Sequence, residues 1–360
     1  MRTTFFATLL LIASCAGVLT AQTKQFAPVP GDPLELATGP ATVADTPEKR
    51  SAILGLLERA RQNSSLHVTG MKPFDLKASF NSNGSAENAG PGVLEESWLS
   101  GSTWRWTARM GSYSQLRIYR NGVAYDSSPV SYQPLRLQTI REAIFRPVAA
   151  DFDNYVIRVA QATWNEKPVT CALIAGPRAN ANQEIGRQWY EEEFCVDPAT
   201  GYLQTYSIAP GTYNAYDYAN AFDFHGHALA RRITIVENSV PAATIEINEI
   251  KDLNTTDESL FTPSADMKGP GIIIGPPLRF PQVAKKSLTT SASDVVQPII
   301  VHAALDVHGR VLEAEALQTS DSAASDAALK LVKNTNYGPT RNHALVQRDV
   351  FINVMFVAKQ

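Results

Sequence analysis

The sequence predicts an α+β protein in two parts: a curved antiparallel half-barrel with helices, then a small β-β-α-β unit. Three observations lead there. Alternating apolar runs broken by turn residues recur from Phe74 to Leu253, with helical spacing only before Phe74 and near the middle. All five tryptophans (Trp98, Trp104, Trp106, Trp164, Trp189) precede residue 190, so a C-terminal core must form without them. A Gly/Pro-rich stretch, 263–279, separates the two parts and reads as a linker. The length of 360 residues suits two domains.

The elements follow in order. Residues 1–21 are a targeting segment: Arg2 supplies a short positive region, and Phe5 to Leu19 is almost wholly apolar. Three fates stay open. These are cleavage after Ala21, lipidation at Cys15 within Ile12-Ala13-Ser14-Cys15, and retention as an anchor. Each places the body of the protein outside the cytoplasm, and the expected compartment is the periplasm. Residues 22–45, rich in Pro, Ala, Thr and Gly, read as a flexible leader.

The first domain is expected over 46–262. Asp45-Thr46-Pro47-Glu48 opens a helix, with a capping residue, proline at the first helical position and an acid in the first turn. Ile53, Leu54, Leu57 and Ala60 give it an apolar face. The strand Phe74-Asp75-Leu76-Lys77-Ala78-Ser79-Phe80 alternates cleanly. Hairpins are expected about Ser100-Gly101-Ser102 and about Arg120-Asn121-Gly122. A helix from about Pro134 to Phe145 precedes strands at Tyr155 to Gln161, Val169 to Ala175, Gln188 to Val196, Leu203 to Ala209, Tyr213 to Phe224, Arg231 to Glu237 and Ala242 to Leu253. So long a sheet is expected to curl. A curled sheet with helices on its concave side must fill its interior with side chains or with a ligand.

Past Cys15 only Cys171 and Cys195 remain, an even pair in an exported chain, so one disulfide is expected.

The last domain is expected over 280–358. Ile299 to Asp306 and Val311 to Leu317 flank a turn at Val307-His308-Gly309-Arg310. A helix follows with Ser322 or Ser325 as N-cap, ended by Tyr337-Gly338-Pro339. The final strand has Val346, Val350, Ile352, Val354 and Phe356 on its apolar face, with Arg348 and Asn353 outward or marking an offset.

Phe280-Pro281 with Ala284, the Asp306 to Gly309-Arg310-Val311 hairpin, Asp326-Ala327-Ala328-Leu329, Tyr337 with Pro339, and Val350-x-Ile352-x-Val354-x-Phe356 occur in an order that resembles the TonB C-terminal domain. That resemblance implies docking on a segment of an outer-membrane TonB-dependent transporter. The final strand, with Arg348, Val350, Ile352, Val354 and Phe356, would be the edge that receives it. The order of helix, Phe74-x-Leu76-x-Ala78-x-Phe80 strand, Trp-bearing hairpin, Asn121-Gly122 hairpin, helix and Tyr202-Leu203 strand resembles the LolA/LolB-type periplasmic carriers. That second resemblance implies a cavity for acyl chains, hence a lipid or lipoprotein ligand.

The net charge of −3 argues against a nucleic-acid surface. No G-x-S-x-G, H-E-x-x-H, Walker or G-x-G-x-x-G pattern is present. His225-Gly226-His227 offers two imidazoles but no third ligand nearby in sequence, and reads as a turn. Glu191-Glu192-Glu193 reads as a solvated strand edge. Tyr213, Tyr216, Tyr218 and Phe222 read as sheet packing rather than a ligand site. No catalytic residue, metal or cofactor is expected. The sequence therefore points to a non-enzymatic periplasmic binding protein. The first expectation is strand-augmented docking, as part of energy-coupled transport; the alternative is a lipid or lipoprotein carrier.

Overall fold

The computed structural model describes residues 41–83, 89–127, 132–148, 151–177, 187–254, 258–275, 277–284, 299–317, 322–340 and 346–356. The targeting segment, including Cys15, lies outside them.

Strand β1 (Thr42–Val43) precedes helix α1 (Pro47–Ser64). Thr46 Oγ1 caps α1 by accepting the Lys49 N–H at 3.3 Å, and Pro47 occupies the first turn, where no partner for its missing donor is needed. Five strands then meander: β2 (Phe74–Ser82), β3 (Gly90–Ser100), β4 (Thr103–Met110), β5 (Tyr113–Arg120) and β6 (Val123–Asp126). Asn121 and Gly122, at φ 54° and 81°, make the tight β5–β6 turn that their side chains favour. Helix α2 (Leu135–Phe145) leads to β7 (Val156–Trp164), β8 (Lys167–Ala175), β9 (Glu192–Val196), β10 (Leu203–Ser207) and β11 (Thr212–Asp217). A hairpin of β12 (Phe222–Phe224) and β13 (His227–Leu229) comes before β14 (Arg232–Glu237) and β15 (Val240–Asp252).

All but β12 and β13 join one antiparallel sheet of thirteen strands, ordered β1-β7-β8-β9-β10-β11-β14-β15-β2-β3-β4-β5-β6. A flat sheet would separate β9 from β4 by seven spacings, roughly 33 Å. Yet α1 packs on β9, α2 reaches β4 through Arg141 on Trp104 and Trp106, and the chain just past α1 meets the end of α2 where Leu66 N donates to Phe145 O at 3.0 Å. Two helices of about 10–12 Å diameter span that distance only if the sheet curls around them.

The expected single strand from Tyr213 to Phe224 is two strands. Asn220, at φ 58°, turns the chain between β11 and β12. The strand expected from Gln188 begins only at Glu192, because Gln188 to Glu191 closes a turn.

The last part holds β16 (Leu278–Ala284), β17 (Ile299–Asp306), β18 (Val311–Ala316), helix α3 (Ser322–Lys333) and β19 (Gln347–Phe356). From β17 onward this is the β-β-α-β order read from the sequence. Gly309 at φ 82° makes the β17–β18 turn, and a Cβ there would meet Gly338 O at 2.3 Å. Helix α3 packs Ala324, Ala328 and Val332 on the sheet face formed by Val301, Val350 and Ile352.

Three expectations are corrected. First, β19 is not an edge. The sheet order is β16-β19-β17-β18, with β16 parallel to β19 from Leu278 opposite Val350 to Ala284 opposite Phe356. Arg348, Val350, Ile352, Val354 and Phe356 are buried, because a strand between two others, with α3 on one face and the large sheet on the other, has no free side. Arg348 and Asn353 do not point outward; both are buried.

Second, 263–279 is not a free spacer. Lys268 and Asp126 exchange backbone hydrogen bonds at 2.9 and 3.0 Å, Ile272 N donates to Asp126 Oδ2 at 3.0 Å, and Ile273 O accepts from Gln347 N at 3.2 Å. The stretch is an extended strap from the edge of the large sheet to the small one. Third, the leader expected to run to residue 45 contains β1, which pairs with β7. Limited proteolysis of the folded chain should spare 268–284, since cleavage needs backbone released from its partners. A first cut inside that range would contradict the strap.

No helix among the described residues is long and apolar enough to cross a membrane.

Candidate functional site

Strands β8 to β11 face α2 across an open cleft of about 1730 Å³. Small-molecule sites usually occupy roughly 300–1,000 Å³, so this space suits a larger or chain-like occupant. Its two walls differ in chemistry. Gln138 and Glu142 of α2 and Arg146, which caps it, follow at four-residue spacing and bond in series: Gln138 Nε2 donates to Glu142 Oε1 at 3.2 Å, and Arg146 Nη2 donates to the same oxygen at 2.6 Å. The opposite wall is aromatic and aliphatic, with Phe152, Ile174, Trp189, Tyr206 and Ile208.

The floor at one end is a buried triad. His67 Nε2 donates to Glu96 Oε1 at 2.5 Å, and Arg141 Nη2 donates to Glu96 Oε2 at 2.9 Å. The His67 ring stacks on Phe145 at 4.6 Å and lines the cleft. Burial drives the His67 imidazole below its usual pKa, against the pull of Glu96. Burial alone would raise the Glu96 carboxyl; Arg141 and His67 outweigh that and hold it below the usual range.

The other end is closed by the C-terminal unit. His302 of β17 and Phe351 of β19 stack at 4.4 Å with planes 7° apart. His302 Nε2 lies 2.5 Å from Asp349 Oδ1, and Nδ1 lies 3.6 Å from Glu315 Oε1. Burial would lower the His302 pKa, but Asp349 and Glu315 raise it to about 10. Arg136 of α2 pairs with Glu237 and reaches Glu315 at 3.4 Å, while Leu135 N donates to Glu313 Oε2 at 3.0 Å. Gln133 and Gln347 exchange hydrogen bonds at 2.8 and 2.9 Å. Arg279 of β16 donates to Ile208 O at 2.6 Å and Trp189 O at 3.3 Å.

The charged form of His302 is favoured in the folded state. Its stabilisation is therefore fully present below the unfolded value near 6.5 and lost as pH rises through about 10. Urea titrations should show an alkaline decline between these limits that flattens in His302→Gln. An unchanged alkaline slope in the variant would rule His302 out as its source.

The sequence-derived candidates fall as follows. Cys171 and Cys195 are direct partners across β8 and β9 and form a disulfide. The compact group Cys171, Glu193 and Cys195 thus offers no free thiolate to a metal. His225 and Gly226 form the β12–β13 turn, and His225 Nε2 meets Asp252 Oδ1 at 2.6 Å on the surface. The expected solvated edge at Glu191-Glu192-Glu193 is corrected. Glu191 is buried against Arg158 (2.8 and 2.6 Å) and Glu193 against Arg187 (3.2 Å), and only Glu192 turns to the cleft, 3.2 Å from Tyr206 Oη. Tyr213 packs on Trp164 and also lines the cleft; Tyr218 stacks on Tyr202.

The cleft residues Trp189, Tyr206, Arg279, His302 and Phe351 were not singled out in the sequence. One signal was present for Glu96. It shares the inward parity of Leu94 and Trp98 on β3, which marks a buried carboxylate in need of a cation. His302 likewise interrupts an otherwise apolar run.

No family model and no curated protein matches the chain. Among solved structures it is similar to a LolA superfamily protein from Nitrosomonas europaea, at 12% identity and TM-score 0.39, over 58% of this chain and 96% of that one. It is also similar to a domain described as an outer membrane lipoprotein-sorting protein from Vibrio parahaemolyticus, at 9% identity and TM-score 0.37, over 58% and 95%. A third similarity, to MucB, has 12% identity and TM-score 0.27, over 62% and 66%.

Proposed function

We propose that this chain is a non-enzymatic periplasmic carrier that holds a lipid, or the lipidated end of a protein, in the cleft between α2 and strands β8 to β11. The observation that carries the reading is the cleft itself: about 1730 Å³, open to solvent, with one wall of aromatic and aliphatic side chains. An apolar chain laid on that wall gains roughly 25 cal/mol for each Å² removed from water. The export segment at 1–21 and the disulfide suit an oxidising compartment.

The test is titration of the full chain with a fluorescent fatty acid, with unlabelled lipid as competitor. Saturable, displaceable binding is expected, and Trp189→Ala should weaken it about tenfold, or 1.4 kcal/mol. Binding that never saturates, or that ignores the competitor, would remove the reading.

A second reading has its own observation. Strand β19 already carries a parallel strand, the chain's own Leu278–Ala284, so this side of β19 does pair with an extended segment. Docking of a TonB-dependent transporter segment there, as in energy-coupled transport, requires β16 to leave first. Transporter-derived peptides should therefore bind a chain with 278–284 unpaired more tightly than the intact one. Equal affinity would count against docking at β19.

A further inference from the structure

Helix α2 sets the direction of the cleft. It is about 16 Å long, at 1.5 Å for each of its eleven residues. Its C-terminal end abuts His67, where His67 N donates to Phe145 O at 3.2 Å. Its N-terminal end is bonded to the C-terminal unit through Leu135 with Glu313 and Arg136 with Glu315. A chain-like occupant lying along α2 therefore runs toward β17 and β19. The group it meets there is Phe351.

Phe351 is held from both sides of its strand. Its neighbours across the sheet are His302 on β17 and Arg279 on β16, in direct register on opposite sides of β19. His302 stacks on the ring at 4.4 Å, and the Arg279 guanidinium lies 5.6 Å from its centroid. Each flanking group is tied down in turn, His302 by Asp349 and Arg279 by the carbonyls of Ile208 and Trp189. The ring is 1% exposed and packs with Ala209, Ile300 and Leu317. It cannot swing aside without breaking one of these clamps.

We infer that Phe351, clamped between His302 and Arg279, is the end stop that sets how long an apolar chain the cleft accepts. The inference rests on the carrier reading and adds a role for the C-terminal unit: it is the terminal wall of the site. Phe351 is the specificity residue; His302 and Arg279 are positioning residues.

The test is a series of fluorescent fatty acids with one head group and increasing chain length, titrated into the full chain. In the wild type, affinity should rise with length and then break off. In Phe351→Ala the break should move to longer chains. The longest probe should gain about tenfold, the scale of one or two methylenes admitted to an apolar pocket, and the short probes should keep their affinity. Met355→Ala, on the same strand and exposed, should leave the profile unchanged. Phe351→Leu should shift the break by less and serves if the alanine variant loses its fold by circular dichroism. A parallel loss at every length, or an unmoved break in a folded variant, overturns the end stop while the carrier reading stands. Failure of the wild type to bind any probe overturns both.

Discussion

Replacing Arg141 by methionine is expected to cost about 3–5 kcal/mol of stability, because it strands a carboxylate in the core. Glu96 is 1% exposed, and Arg141 supplies both a hydrogen bond at 2.9 Å and the main compensating charge. The guanidinium also lies 4.9 Å from the Trp104 ring and 5.5 Å from Phe145, so packing is lost with the charge. The pH dependence separates the two losses. In the native chain Glu96 is held below the usual carboxylate range, so its contribution is present above the unfolded value near 4.3 and disappears as pH falls through its lower native value. Without Arg141, burial dominates and the Glu96 pKa should rise above its unfolded value. Protonation then favours the folded variant. Urea unfolding should show the gap between variant and wild type narrowing as pH falls from neutral toward that range. Adding Glu96→Gln should recover part of the loss at neutral pH. A constant gap, with no recovery, would mean the cost is packing alone.

Removing the disulfide is the second large expected effect. Cys171 and Cys195 are 24 residues apart, and closing such a loop lowers the entropy of the unfolded chain by about 3 kcal/mol at room temperature. The two residues belong to a small apolar cluster with Trp164, Val169, Leu173 and Tyr213. That cluster lies on the opposite face of β8 from Ala172 and Ile174, which join the main core. The double variant Cys171→Ala/Cys195→Ala should therefore unfold at markedly lower urea while its ligand cleft, which that cluster touches through Tyr213, keeps its affinity. Loss of binding in step with stability would show that the two faces are coupled.

Much of the architecture was readable because it is local. The start of α1 depends on Thr46, Pro47 and Glu48, three neighbours in the chain. The β5–β6 turn depends on Asn121 and Gly122, and the β-β-α-β order depends on a change of apolar period between Val311 and Val332. The disulfide was readable from cysteine number and the apolar run behind Arg2. The errors came where local pattern leaves two outcomes open. Three glutamates in a row look solvated, yet Glu191 and Glu193 are buried, because Arg158 and Arg187 arrive from other parts of the chain to neutralise them. An alternating final strand looks like an edge. Whether it is one depends on what pairs beside it, and here that is the chain's own Leu278–Ala284.

The helices, the hairpin turns, the antiparallel strand succession and the pairing of Cys171 with Cys195 could be read without the coordinates. Each follows from side chains a few residues apart or from composition. The strap made by the Gly/Pro stretch, the central place of β19 and the closing of one cleft end by the C-terminal unit emerged from the folded chain alone. Those outcomes rest on contacts between residues 70 to more than 200 positions apart, such as Gln133 with Gln347 and Arg279 with Ile208. Periodicity describes which face of an element is apolar; it does not say which distant element will cover that face.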